Sequence, residues 1–267
     1  MRAFIREKKV IAGEYMDVSI YACWRRSGER RKKAKPTEDA QAEVNRRNSE
    51  LNLMRNVHAN FDGRDLFVTL TYGDAFMPKG TREEVTAAAI RDMKNFIKRL
   101  RGDYKKAGKE LKYIYTLEFG AASDRPHFHM IANDKTMRDA IEDRWIFGHA
   151  NARRLEFDEK GVEGLLEYMC KSKTGYRRYS SSKNLVKPVE IIDDYSMTAT
   201  KAKRMEEEGT AGVTVLEQYD GWVCTEMETK TDAFGGKIMH MKFCKADSKV
   251  YGTEKTKRAE AARRVRA

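Results

Sequence analysis

His127 and His129, in the run Arg125-Pro126-His127-Phe128-His129-Met130, have the types and spacing to do metal chemistry. Side chains on a β-strand alternate with period two, so both imidazoles face one side while Phe128 faces the other and can anchor the strand. Two imidazoles side by side can share one divalent cation, although H-x-H on a strand is also a common structural arrangement. Glu118 closes the preceding strand-like run and can bring a carboxylate to the same ion, or can pair with Arg125 across the turn instead. Two imidazoles, a carboxylate and open coordination positions suit Mn²⁺ or Mg²⁺ held beside a phosphate.

A second group lies downstream. In Leu165-Leu166-Glu167-Tyr168-Met169-Cys170-Lys171, helical spacing gives a buried stripe of Val162, Leu165, Leu166 and Met169, with Tyr168 at its edge. Lys171 projects three residues beyond Tyr168, on the same side of a helix. A phenol of ordinary pKa about 10 is a poor nucleophile at neutral pH, and a neighbouring ammonium favours the phenolate. Taken alone, Tyr168 reads equally as the edge of a core. Beyond it, Arg177, Arg178, Tyr179, Ser180 and Lys183 sit in a stretch that holds Lys171, Lys173 and Lys187 and no acidic residue. Cations and hydroxyls can hold a phosphate backbone and aromatic rings can stack on unpaired bases, whereas a solvated basic loop is the plainer alternative.

These residues need elements to hold them. Thr37 is placed to cap a helix running to about His58, and Leu66–Tyr72 is β-rich and of strand length. Thr81-Arg82-Glu83-Glu84 is a capping box, followed by a helix to about Leu100 with Ala89, Met93, Phe96, Ile97 and Leu100 on one face. Strands are expected over Lys112–Glu118 and Pro126–Ala132, joined as an antiparallel hairpin through Gly120 to Asp124. A helix over Lys135–Trp145, a polar strand over Ala150–Phe157 and a short helix over 162–171 complete a β-α-β-β-α-β-α order. That order implies an α+β sandwich, an antiparallel central sheet flanked by helices. After Pro188 the pattern weakens to a polar helix over Ser196–Glu208, strands near Val213–Glu217, Gly221–Glu228 and Lys237–Phe243, and a basic tail from Thr253. The organisation expected is a basic N-terminal arm (1–36), a main domain (37–190) and a small accessory C-terminal segment (191–267). Residues 25–35, dense in Arg and Lys, read either as a solvated linker or as an arm contacting phosphates.

Composition narrows the partners. The 267 residues carry a formal net charge of +12, with 35% charged and 40% hydrophobic residues, which favours an anionic partner and places nucleic acid ahead of acidic lipid. The four cysteines, Cys23, Cys170, Cys224 and Cys244, are dispersed, as in a reducing compartment. Cys224, His240 and Cys244 offer a weak zinc alternative with a fourth ligand lacking. The sequence has no apolar run near the ~20 residues of a membrane span and no leader-like start, so a soluble, cytoplasmic protein is expected.

Three motifs in this order resemble the rolling-circle replication initiators of the HUH endonuclease superfamily, found in bacterial plasmids and single-stranded DNA phages. They are Phe67-Val68-Thr69-Leu70-Thr71-Tyr72, then Arg125-Pro126-His127-Phe128-His129, then Tyr168-Met169-Cys170-Lys171, with Asn60-Phe61, Trp145, Gly148 and 177–185 as flanking similarities. The resemblance covers about residues 40–190 and implies a ferredoxin- or RRM-like sandwich. It implies that His127, His129 and Glu118 bind the metal. It further implies that Tyr168 attacks the scissile phosphate of single-stranded DNA at a replication origin and becomes joined to the 5′ phosphate. Relaxases and transposases of the same superfamily share this chemistry, and a non-catalytic nucleic-acid-binding module is the alternative from another class. Some relatives carry two tyrosines on the last helix, whereas Ser172 stands where a second would be. No G-x-x-x-x-G-K-S/T run is present, so unwinding is expected from a host helicase and synthesis from a host polymerase in a bacterial cytoplasm.

Overall fold

The structure, a computed structural model, describes residues 3–24, 38–120, 123–157, 162–170, 179–231 and 236–248. The chain opens with strands β1 (Ala3–Ala12) and β2 (Tyr15–Trp24). Helix α1 (Glu38–Asn60), β3 (Leu66–Tyr72), α2 (Arg82–Lys106), β4 (Tyr113–Phe119) and β5 (Pro126–Ala132) follow. Then come α3 (Arg138–Arg144), β6 (Gly148–Arg154), α4 (Glu163–Cys170) and β7 (Ser180–Ser181). After them lie β8 (Val189–Asp193), α5 (Ala199–Glu208), α6 (Val213–Gln218), β9 (Trp222–Thr231) and β10 (Lys237–Lys245). Thr37, the run 25–35, residues 171–178 and the tail from Thr253 lie outside the described residues.

Two compact units emerge, one from the described parts of 1–48 and 187–267, the other from those of 49–157 and 162–186. The second unit is built on an antiparallel sheet in the order β6-β3-β5-β4-β7. Its two faces follow directly from alternation in the sequence. Leu66, Val68, Leu70 and Tyr72 of β3, Phe128, Met130 and Ala132 of β5, and Tyr113, Tyr115 and Leu117 of β4 form one core with helices α2 and α3. Helix α2 supplies Ala89, Ile90, Met93, Phe96, Ile97, Leu100 and Tyr104 to it. Burying an apolar side chain of this size contributes roughly 1.5–3 kcal/mol. The capping box forms as the sequence reads: Thr81 Oγ1 accepts from Glu84 N, and Glu84 Oε2 accepts from Thr81 N at 2.8 Å. The fold is therefore the expected α+β arrangement of helices on antiparallel sheet.

Gly148 is required by contact. A Cβ there would lie 2.3 Å from both Gly73 N and Thr71 O, so the start of β6 can approach β3 only without a side chain. Gly73 N donates to Phe147 O at 2.9 Å, and the Trp145 indole donates to Thr71 O at 2.9 Å, tying the same end of β3 from two sides.

The other unit departs from the sequence reading. Residues 3–24, placed in an arm without elements, form a β-hairpin through Gly13 (φ 62) and Glu14, with Ala12 opposite Tyr15. This hairpin is central in a second antiparallel sheet, β8-β1-β2-β10-β9. The segment expected to be accessory is thus paired with the N-terminus, β8 on β1 and β10 on β2. Met16, Val18 and Ile20 meet Met239, Met241 and Phe243 beneath Met197, Met205, Val215 and Tyr219. Residues Val213–Gln218 are helix rather than strand. The β-branched bias of Val213-Thr214-Val215 yields because Glu208 Oε2 accepts from Thr214 N at 2.8 Å and caps the helix start, while Thr214 and Val215 become buried.

Candidate metal centre

Register brings the three residues together. His127 lies opposite Glu118 of β4 on one side and Thr71 of β3 on the other, and His129 lies between Thr116 and Thr69. Glu118 Oε2 is 3.4 Å from His127 Nε2 and 3.5 Å from His129 Nε2. The two imidazole rings stand 5.0 Å apart, edge to face. One ligand atom from each of the three residues falls within a common span of 4.8 Å, a grouping able to hold a metal ion and the single such group among the described residues.

The outer nitrogens are occupied by orienting contacts. His127 Nδ1 lies 3.3 Å from Arg125 O, and as an N–H it would donate there. His129 Nδ1 lies 3.4 Å from Thr69 Oγ1, and the ring stacks on Phe67 with centroids 5.5 Å apart and planes 10° from parallel. Such contacts fix the tautomer that turns the Nε2 lone pairs inward. Glu118 does not pair with Arg125; that guanidinium pairs with Asp74. Burial pushes the Glu118 carboxyl up, but hydrogen bonds and charge from the two imidazoles outweigh it and hold the group at about 2. His127 is raised, chiefly by its bond to Glu118, against the opposing effect of burial.

A divalent ion fits these residues on a structural ground. Glu118 is buried, and its Oε1 has no hydrogen-bond partner among the described residues, a costly state for a carboxylate oxygen. One carboxylate and two neutral imidazoles, oriented by outer contacts, form a donor set that a first-row divalent cation accepts.

The other expected residues are distributed unevenly. Tyr168 lies in α4, which packs against β4, the strand carrying Glu118. Its side chain, together with Lys171, Arg177 and Arg178, lies outside the described residues. Tyr179 is half-buried, Ser180 pairs with Tyr115 at the sheet edge, and Lys183 is exposed. Ser182 N donates to Tyr113 O at 2.9 Å, while Asn60 grips Val186 through Oδ1 at 2.7 Å and Nδ2 at 2.9 Å, so this stretch is anchored to the sheet unit. The alternative site does not form: His240 bonds Ser19, and Cys224 and Cys244 point to opposite faces of their sheet. Sequence reading missed Thr69, Thr71 and Thr116 on the histidine face, and the exposed His149, Asn151 and Arg153 of β6 beside them. The alternation Phe67-x-Thr69-x-Thr71 carries the signal for the first two.

Fold and site together define a class, an α+β domain with a candidate divalent-metal cluster on one face of its antiparallel sheet. Within it, residues 65–173 match the family model of a replication-associated protein of the ORF2 type, in agreement with the resemblance to replication initiators. The match takes in β3 through α4 and includes Glu118, His127, His129 and Tyr168. The chain carries a domain of this replication-associated family, which supports a role in replication initiation. No curated protein and no solved structure matches the chain.

Proposed function

We propose that this protein is a metal-dependent endonuclease that nicks and rejoins single-stranded DNA at a replication origin, starting rolling-circle replication. The observation that carries this reading is the Glu118–His127–His129 cluster, its donor atoms within 4.8 Å, on the strand pair against which the Tyr168 helix packs. His127, His129 and Glu118 would hold Mn²⁺ or Mg²⁺, and the bound ion would polarise a scissile phosphate. Tyr168 is the nucleophile. Its phenolate oxygen forms the new bond to phosphorus, the bond from phosphorus to the 3′ oxygen breaks, and that oxygen leaves as a hydroxyl after taking up a proton. The 5′ phosphate stays on Tyr168 as a phosphodiester, so bond energy is conserved and the 3′ hydroxyl can reverse the step. Lys171 favours the phenolate and offsets charge on the phosphoryl group. Arg177, Arg178, Tyr179, Ser180 and Lys183 hold the strand, with a host helicase and polymerase completing the cycle.

The test is a labelled single-stranded origin oligonucleotide incubated with Mn²⁺. Wild type should yield a denaturation-resistant protein–DNA adduct, and chelation should abolish it. Tyr168→Phe should lose the adduct, by 10³-fold or more on the order expected for a missing nucleophile, while still binding DNA. An undiminished adduct in that variant sinks the assignment, and DNA binding without any cleavage would indicate a non-catalytic binding module.

A further inference from the structure

Thr116 lies on β4 directly opposite His129 and two residues before Glu118, so the three side chains share one face of the sheet. It is 2% exposed, and its hydroxyl has no hydrogen-bond partner among the described residues. Buried hydroxyls are seldom left in that state. The second buried oxygen without a partner on this face is Glu118 Oε1. Side chains at i and i+2 are spaced about 6.6 Å along a strand, a gap that one bridging water spans with a hydrogen bond at each end.

Resting on the metal-centre reading above, we propose that Thr116 is a positioning residue for Glu118. Its hydroxyl accepts from or donates to one water whose other hydrogen bond goes to Glu118 Oε1. With Oε1 tethered in this way, Oε2 remains turned toward His127 and His129. Thr69 plays the corresponding part on the opposite strand, where its hydroxyl lies against His129 Nδ1. The cluster is then flanked by a threonine on each neighbouring strand, one orienting an imidazole and the other the carboxylate. The bridge strengthens when the carboxylate must stay ionised and fixed, which is the condition for holding a cation.

Titration of the full-length, chelator-treated protein with MnCl₂ in a calorimeter tests this with two variants. Thr116→Val keeps the shape and removes the hydroxyl, whereas Thr116→Ser keeps the hydroxyl. The expected result is Mn²⁺ affinity weakened about tenfold or more in Thr116→Val and largely preserved in Thr116→Ser. Metal-free Thr116→Val should melt no lower than wild type, since the hydroxyl it lacks has no protein partner to lose. Affinity within about twofold of wild type in Thr116→Val overturns the proposal, as does a Thr116→Ser variant as weak as Thr116→Val. A metal-free Thr116→Val that melts below wild type also overturns it, because the hydroxyl would then be structural. If wild type itself binds no Mn²⁺ and Glu118→Ala behaves identically, the metal-centre reading falls first and this inference with it.

Discussion

At the scale of single residues, protons and a metal compete for the same atoms. Without metal, His127 is raised above its ordinary 6.5 and Glu118 is held at about 2, two views of one coupled interaction. A raised imidazole contributes stability that is full below its unfolded value and lost as pH rises through its folded value. A depressed carboxyl contributes stability present above its unfolded 4.5 and lost as pH falls toward about 2. The pair therefore supports the metal-free fold most between about 4.5 and 6.5. A cation needs the imidazoles neutral, so Mn²⁺ affinity should climb as pH rises from 6 to 8, with proton release greater at the lower pH. Calorimetric titration in two buffers of different ionisation enthalpy measures that release; affinity flat across this range would contradict ligation by His127. His127, His129 and Glu118 were legible in the sequence because a period of two and a short turn suffice to bring them together. Thr116 was not, since its significance depends on which strand lies beside it and on what fails to reach its hydroxyl.

At the scale of elements, legibility followed how local the determining forces are. The capping box and apolar stripe of α2 are self-contained, and they form as read. The β1–β2 hairpin was missed although Gly13-Glu14 is a two-residue turn, because Arg6, Glu7, Lys8 and Lys9 break the apolar alternation of β1. Glu7 is wholly buried there, accepting from Tyr219 at 2.5 Å and pairing with Lys9 at 2.8 Å, and its partner Tyr219 lies more than two hundred residues away in the chain. No local pattern announces a buried carboxylate satisfied from that distance. The close approach of β6 to β3 makes its own prediction. Gly148→Ala sets a methyl 2.3 Å from Gly73 N and Thr71 O, and Thr71 is the cross-strand neighbour of His127. The substitution should cost about 1–3 kcal/mol in a urea melt, and the strand shift it forces should also weaken Mn²⁺ binding. Unchanged stability would mean that the two strand ends are not held as closely as described.

At the scale of the molecule, the two sheets draw on different stretches of chain. The site-bearing unit takes its strands from one continuous stretch of the chain and contains the family-matched segment, and its core with α2 and α3 contains no residue of the hairpin sheet. The hairpin sheet joins the two ends of the sequence, and its core is rich in methionine, with Met16, Met197, Met205, Met239 and Met241 packed around Phe243. A resemblance confined to the catalytic motifs therefore could not reveal it, since nothing in those motifs encodes how the ends pair. No helix among the described residues is long and apolar enough to cross a membrane. Separate cores imply separable energetics. Met241, 1% exposed and opposite Val18, anchors the hairpin sheet at its centre. Met241→Ala should destabilise that unit by about 2–5 kcal/mol through lost packing and a residual cavity. Mn²⁺ affinity should stay within about twofold of wild type, because distant substitutions that share no partner with a site leave it alone. Differential scanning calorimetry with and without MnCl₂ reads both quantities on one sample: the metal should raise the melting of the site-bearing unit by the same increment in variant and wild type. A metal increment that vanishes in Met241→Ala would show that the candidate centre depends on the hairpin sheet and would refute independent cores.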